Sequence, residues 1–129
     1  MILVDTSAWI EFLRDTGSAV CDRVDELVES DLATCAPIRM EILAGARHER
    51  HLLDLRRLLA RATFLPTTET DFEDAASLYR TCRRSGTTVR RMIDCLIAAV
   101  AIRADVAVLH ADADFDLLAR ATELKVVTP

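Results

Sequence analysis

Ile2-Leu3-Val4-Asp5-Thr6-Ser7-Ala8-Trp9-Ile10 sets a short apolar run against an acid and a pair of hydroxyls, after which Trp9, Ile10 and Leu13 follow at helical spacing. This reads as strand, N-cap, helix, with Thr6 and Ser7 supplying the capping hydroxyls. The same alternation runs through the chain. Asp15-Thr16-Gly17-Ser18 breaks the first helix, and Val20, Val24, Leu27 and Val28 mark a second. Leu32 to Ala36 is a buried strand, and Pro37 stands where the first turn of a helix tolerates proline, opening a stretch through Ile38, Ile42 and Leu43 that ends at Gly45. Leu52, Leu55, Leu58 and Leu59 stripe another helix, and Thr63-Phe64-Leu65-Pro66 is a third strand. Thr70-x-x-Glu73 has the form of a capping box and opens a helix through Phe72, Ala76, Tyr79 and Cys82 that stops at Gly86. The most apolar helix runs from about Met92 to Arg103, followed by a strand at Val106-Ala107-Val108-Leu109, a helix striped by Phe115, Leu118 and Ala119, and a last strand at Val126-Val127. Short apolar strands alternating with helices predict an α/β fold, a parallel sheet with helices on both faces.

The chain of 129 residues is 51% apolar and 29% charged, which predicts one globular domain spanning residues 1–129. Cys95 to Ile102, the longest apolar run, is far short of the ~18 residues that cross a bilayer, and Met1 leads into Ile2-Leu3-Val4 without a basic n-region. No membrane span or export signal is expected. Four cysteines stand without a C-x-x-C pair, which suits reduced core residues in a cytoplasm. The formal charge is −5, at first sight adverse to nucleic acid. Lys125 is the only lysine, however, so fifteen of the basic residues are arginines, whose planar forks match phosphate.

In a sheet of this kind ligands bind outside the carboxyl ends of the strands. Asp5 ends the first strand and Asp112 follows the fourth; Glu41 lies about one turn into the helix after the second, and Asp94 opens the apolar helix. Ile93 and Cys95-Leu96-Ile97-Ala98-Ala99 surround Asp94, so its carboxylate stands on a mostly buried helix. Were these acids to converge within ~5 Å, each like-charge pair would cost about 3 kcal/mol at an effective dielectric of ~20. Either they are protonated or a divalent cation neutralises them. An all-oxygen set favours Mg²⁺ or Mn²⁺, and with it metal-assisted attack of water on a phosphodiester. Against this stand local roles: turn or cap chemistry for Asp5 and Asp112, a solvated position for Glu41, and helix-start acids for Asp94 and Asp114.

Val4-Asp5-Thr6-Ser7, Met40-Glu41-Ile42-Leu43-Ala44-Gly45, Ile93-Asp94-Cys95-Leu96-Ile97-Ala98-Ala99 and Asp112-Ala113-Asp114-Phe115 together resemble the PIN domain family, and within it the VapC toxins of bacterial VapBC toxin–antitoxin pairs. The resemblance covers essentially the whole chain. It implies a three-layer α/β/α sandwich with a short central parallel sheet, and an Mg²⁺-dependent endoribonuclease, with Mn²⁺ as the alternative ion. By position, Asp5, Asp94 and Asp112 would be metal ligands, Glu41 would complete the pocket and orient the attacking water, and Asp114 would be an accessory. It further implies a cognate VapB-type antitoxin, structured RNA such as transfer RNA as substrate, and a homodimer. Where the family commonly carries Thr or Ser, this chain has His110, which could replace the hydroxyl, bind phosphate, or point away. The antitoxin segment is expected in an apolar groove near Trp9, Phe12, Leu13 and Leu52, with an arginine reaching Asp5, Asp94 and Asp112.

Arg83, Arg84, Arg90 and Arg91 flank Gly86 and could hold an RNA backbone or form a solvated face. His48 and His51 lack a third ligand and read as surface residues. Two readings from other classes remain: a phosphoacceptor receiver domain, which wants paired acids after the first strand where Asp5 stands alone, and a catalytically silent binding module.

Overall fold

In chain order the elements are β1 (Ile2–Val4), α1 (Thr6–Leu13), α2 (Ala19–Val28), β2 (Leu32–Cys35), α3 (Ala36–Ala44), α4 (Glu49–Leu59), β3 (Thr63–Leu65), α5 (Glu69–Arg84), α6 (Met92–Ala104), β4 (Ala107–Leu109) and α7 (Ala113–Ala121). The computed structural model describes residues 1–129. All strand pairs are parallel, in the order β3-β2-β1-β4, with Ile2 beside Leu32 on one side and Ala107 on the other. This is the expected α/β architecture, helices packed about a short parallel sheet in three layers. Because β2 lies on one side of β1 and β4 on the other, the chain reverses its direction of winding at β1, and the crevice at the carboxyl ends of β1 and β4 is the switch point where such sheets bind ligands.

The sheet's short strands survive because they are buried: Leu3, Val4, Ala33, Cys35, Val108 and Leu109 have no exposed surface. α6 is apolar on every side, and each residue from Asp94 to Ala101 is buried. Side chains such as Ile97 and Val100 there contribute roughly 1.5–3 kcal/mol each by leaving water. α5 lies along α6, and their junction is fastened by Arg103, whose guanidinium donates to both carboxylate oxygens of the fully buried Asp71 and to the Pro66 carbonyl.

Three local expectations are corrected. The cap of α1 is Asp5, whose Oδ2 accepts from the Ser7 N–H at 2.9 Å, and not the hydroxyls after it. The capping box of α5 is Thr68 with Asp71, two residues earlier than Thr70 with Glu73. The ion pair with Arg103 draws Asp71 inward and so sets the start of the helix, while Glu73 is left exposed. Val126-Val127 forms no strand, only a bridge from Val126 to Val108. Thr128 and Pro129 follow directly, and proline has no N–H with which to extend a ladder.

Candidate metal centre

Each acid reaches the switch point from a different element. Asp5 follows β1 as the cap of α1, and its backbone N–H donates to the Leu109 carbonyl of β4 at 3.0 Å, which fixes it between the two central strands. Asp94 stands in the first turn of α6, Asp112 caps α7, Asp114 lies in the first turn of α7, and Glu41 comes from α3. Carboxylate oxygens of Asp94, Asp112 and Asp114 lie within 4.8 Å of one another. Asp5 is outside that trio but close enough that its charge raises the Asp94 pKa.

Asp5, Asp94 and Asp114 are nearly inaccessible to solvent, at 4%, 2% and 3% exposure. The Ser7 hydroxyl donates to Asp5 Oδ2 at 2.6 Å and accepts from the Ala111 N–H at 2.9 Å, tying the turn after β1 to the loop after β4. Asp5 Oδ1 is left buried with no partner, and so is Asp94 Oδ2. A buried carboxylate oxygen without a hydrogen bond is costly. Burial, reinforced by the charge of Asp5, pushes the Asp94 carboxyl up to about 7. Burial likewise raises Asp5.

Glu41 is held at the rim: Thr6 Oγ1 donates to its Oε1 at 2.8 Å, and Arg91 Nη2 donates to its Oε2. Arg90 brackets the α7 acids, with its backbone N–H and its Nε both donating to Asp114 Oδ2 at 3.1 Å and Nη2 to Asp112 Oδ1 at 2.9 Å. The loop before α6 thus brings two consecutive arginines against the cluster. As sequence they were members of an arginine-rich stretch; only the fold separates them from Arg84, which donates to Thr81, and Arg83, which lies 5.8 Å from the Tyr79 ring centre.

His110 faces away from the cluster. Its Nδ1 accepts from the Asp112 N–H at 3.1 Å, so the neutral ring carries its proton on Nε2, which meets Asp116 Oδ1 at 3.1 Å; Phe115 packs beside the ring at 5.3 Å between centres. It steadies the loop that carries Asp112. His48 caps α4 by accepting from the His51 N–H. Trp9 is wholly buried and cannot line a groove. The groove beside α1, α3 and α4, about 440 Å³, is lined by Leu13 as expected, but by Ile10, Ile42 and Leu55 where Phe12 and Leu52 were expected, with Arg14, Arg47 and His51 beside them, and it reaches Thr6 and Glu41. No helix is long and apolar enough to cross a membrane.

The PIN domain family matches residues 2–121. Ribonuclease VapC11 of Mycobacterium tuberculosis is 46% identical over 132 residues, covering 99% of this chain and 98% of the relative. Among solved structures, VapBC-1 from nontypeable Haemophilus influenzae has a TM-score of 0.77 at 19% identity, covering 98% of this chain and 97% of that one. VapBC-5 of Mycobacterium tuberculosis, a member of the VapBC family of toxin–antitoxin systems, has a TM-score of 0.66 at 25% identity, covering 98% and 97%.

Proposed function

The chain belongs to the PIN domain family and is similar over its full length to VapC ribonucleases, and from that premise we propose that it is a metal-dependent endoribonuclease, the toxin of a type II toxin–antitoxin pair. The observation that carries the reading is the pair of buried, unpartnered carboxylate oxygens, Asp5 Oδ1 and Asp94 Oδ2, at the switch point of the sheet. Oxygens so placed are open to a cation, and the all-oxygen donor set fits a hard ion, Mg²⁺ or Mn²⁺. Asp5, Asp94 and Asp112 would hold it; Asp94 and Asp112 belong to the close trio with Asp114, Asp5 stands just outside that trio, and Arg90 bonds one oxygen each of Asp112 and Asp114. When bound, such an ion polarises a phosphoryl oxygen and lowers the pKa of water.

The protein's own part is to hold these groups still. Ser7 fixes the orientation of Asp5, the buried face of α6 fixes Asp94, and Arg90 and His110 fix the α7 acids. Glu41 is less buried than Asp5, Asp94 or Asp114 and is tethered only through side chains, which suits it to orient the attacking water and accept its proton.

The reading extends to partners. The groove that ends at Glu41 is the surface we assign to a VapB-type antitoxin, and the structural relative from Mycobacterium tuberculosis is itself part of a toxin–antitoxin system. Structured RNA such as transfer RNA as substrate rests on the family resemblance. A homodimer has a surface available in the exposed apolar Met40, Phe72 and Met92, and light scattering during size exclusion would register it. The deciding experiment incubates total RNA with dialysed protein in Mg²⁺, in Mn²⁺ and in EDTA. Cleavage is expected with either ion and none in EDTA; undiminished cleavage in EDTA overturns the metal-dependent reading.

A further inference from the structure

The two arginines that meet the acid cluster are held in different ways. Arg90 is anchored by main chain and side chain together: its backbone N–H and Nε donate to Asp114 of α7 and its Nη2 to Asp112, the cap of that helix. Arg91 touches the cluster through Nη2 alone, on Glu41, while its Nε and Nη1 groups donate to no protein acceptor. It is also half exposed, and it caps α6 one turn from Asp94. Glu41 keeps the Thr6 hydroxyl on its other oxygen, so departure of Arg91 would not strip it of partners.

A cluster of five carboxylates repels the substrate it is meant to cut, because a phosphodiester is itself an anion. An ion among the acids relieves part of that repulsion; a cationic side chain at the mouth is the other means available to the chain. A guanidinium with unused N–H groups forms a planar fork that donates two parallel hydrogen bonds to a phosphate. We propose that Arg91 is a substrate-binding residue of this site, resting on Glu41 when no RNA is bound and transferring its fork to a phosphate beside the scissile bond when RNA arrives, which releases Glu41 Oε2 toward the attacking water. The inference rests on the ribonuclease reading and adds to it a named contact to the RNA backbone.

Three variants of the full chain test it: Arg91→Ala, Arg91→Lys, and Arg61→Ala as an exposed arginine paired with Glu29 away from the cluster. Thermal melts establish that each is folded. Mn²⁺ alone is titrated calorimetrically. Binding of a fluorescein-labelled 20-nucleotide RNA with phosphorothioate linkages is followed by anisotropy across a salt series, with Ca²⁺ replacing Mg²⁺ to suppress cutting. Loss of one phosphate contact lowers the slope of log affinity against log salt by about 0.7. Arg91→Ala is expected to show that change and a roughly tenfold weaker RNA affinity, while Arg91→Lys keeps the slope at reduced affinity and Arg61→Ala matches the parent. If Arg91→Ala leaves affinity and slope unchanged while Mn²⁺ binds more tightly, Arg91 is only a counter-charge to the acids and the inference is overturned. If the parent protein neither binds this RNA nor cleaves total RNA, the ribonuclease reading falls first.

Discussion

Asp94 is the residue at which stability and function pull in opposite directions. On a helix buried from Asp94 to Ala101 its Oδ2 has no hydrogen-bond partner, and the charge of Asp5 lies nearby. Asp94→Asn keeps the shape of the side chain and removes the buried charge. In the metal-free protein it is expected to raise stability by roughly 1–2 kcal/mol, while RNA cleavage falls by at least ~10²-fold if, as proposed, this oxygen binds the metal. Denaturant melts in EDTA together with a cleavage assay in Mg²⁺ check both. Parent-like cleavage by the variant would reduce Asp94 to a helix-start acid. Asp71, equally buried, is the contrasting case, since the Arg103 guanidinium hydrogen-bonds it and holds its pKa below the ordinary carboxylate range. A carboxyl depressed on folding stabilises the native state above its unfolded pKa of ~3.9, and that contribution disappears as the pH falls through the folded value. Arg103→Ala leaves Asp71 buried and unpaired and is expected to cost roughly 2–3 kcal/mol near neutral pH. The deficit should shrink in acid, where Asp71 protonates in both proteins. A deficit that stays constant from neutral pH into acid would show that Arg103 matters through packing alone.

At the scale of elements, α5 gives the sharpest test of how a helix start is chosen. Thr68 accepts from the Asp71 N–H and Asp71 accepts from the Thr68 N–H, whereas Thr70 and Glu73 make no such pair. Thr68→Ala is therefore expected to cost about 1 kcal/mol, and Glu73→Ala to stay within about 0.5 kcal/mol of the parent; equal costs in chemical denaturation would refute the assignment. Both boxes are legible as sequence, and what separates them is Arg103, thirty-two residues beyond Asp71 in the chain. The same limit runs through the rest of the reading. The apolar runs at Ile2-Leu3-Val4 and Ala107-Val108-Leu109 and the apolar stretch of α6 after Asp94 were visible because burial on every side leaves a continuous hydrophobic signature. The acids were visible because carboxylates at strand ends and on a buried helix are out of place. Which charges meet them was not, because Arg90 lies 22 and 24 residues from its partners and Arg91 50 residues from Glu41. Local spacing holds no record of contacts made by loop closure over such distances. Ser7 is the intermediate case: its closeness to Asp5 is local, but its bond to Ala111 follows only from β1 lying beside β4.

Across the whole molecule the groove lined by Ile10, Leu13, Ile42 and Leu55 borders the acids at one of them, since it reaches Thr6 and Glu41. Outside Asp5, Glu41, Asp94, Asp112 and Asp114 the chain has no formal net charge, and Arg90 and Arg91 offset part of the charge of these acids. A partner that fills the groove with apolar side chains and extends an arginine toward the acids would supply the charge that a cation otherwise supplies, and the two would exclude each other. For exclusive binding at one site, Mg²⁺ at ten times its own Kd should weaken the complex by about tenfold. Replacing the arginine that enters the acids should reduce inhibition more than binding, because the groove contacts remain. Titrating the antitoxin into the protein at increasing Mg²⁺, with RNA cleavage followed in parallel, measures both effects. A complex whose affinity is indifferent to Mg²⁺ and whose inhibition survives loss of that arginine would mean that the antitoxin covers the site without entering it. In that case the acid cluster would be regulated by occlusion of the RNA path, and the metal-dependent nuclease would stand unchanged beneath a different cover.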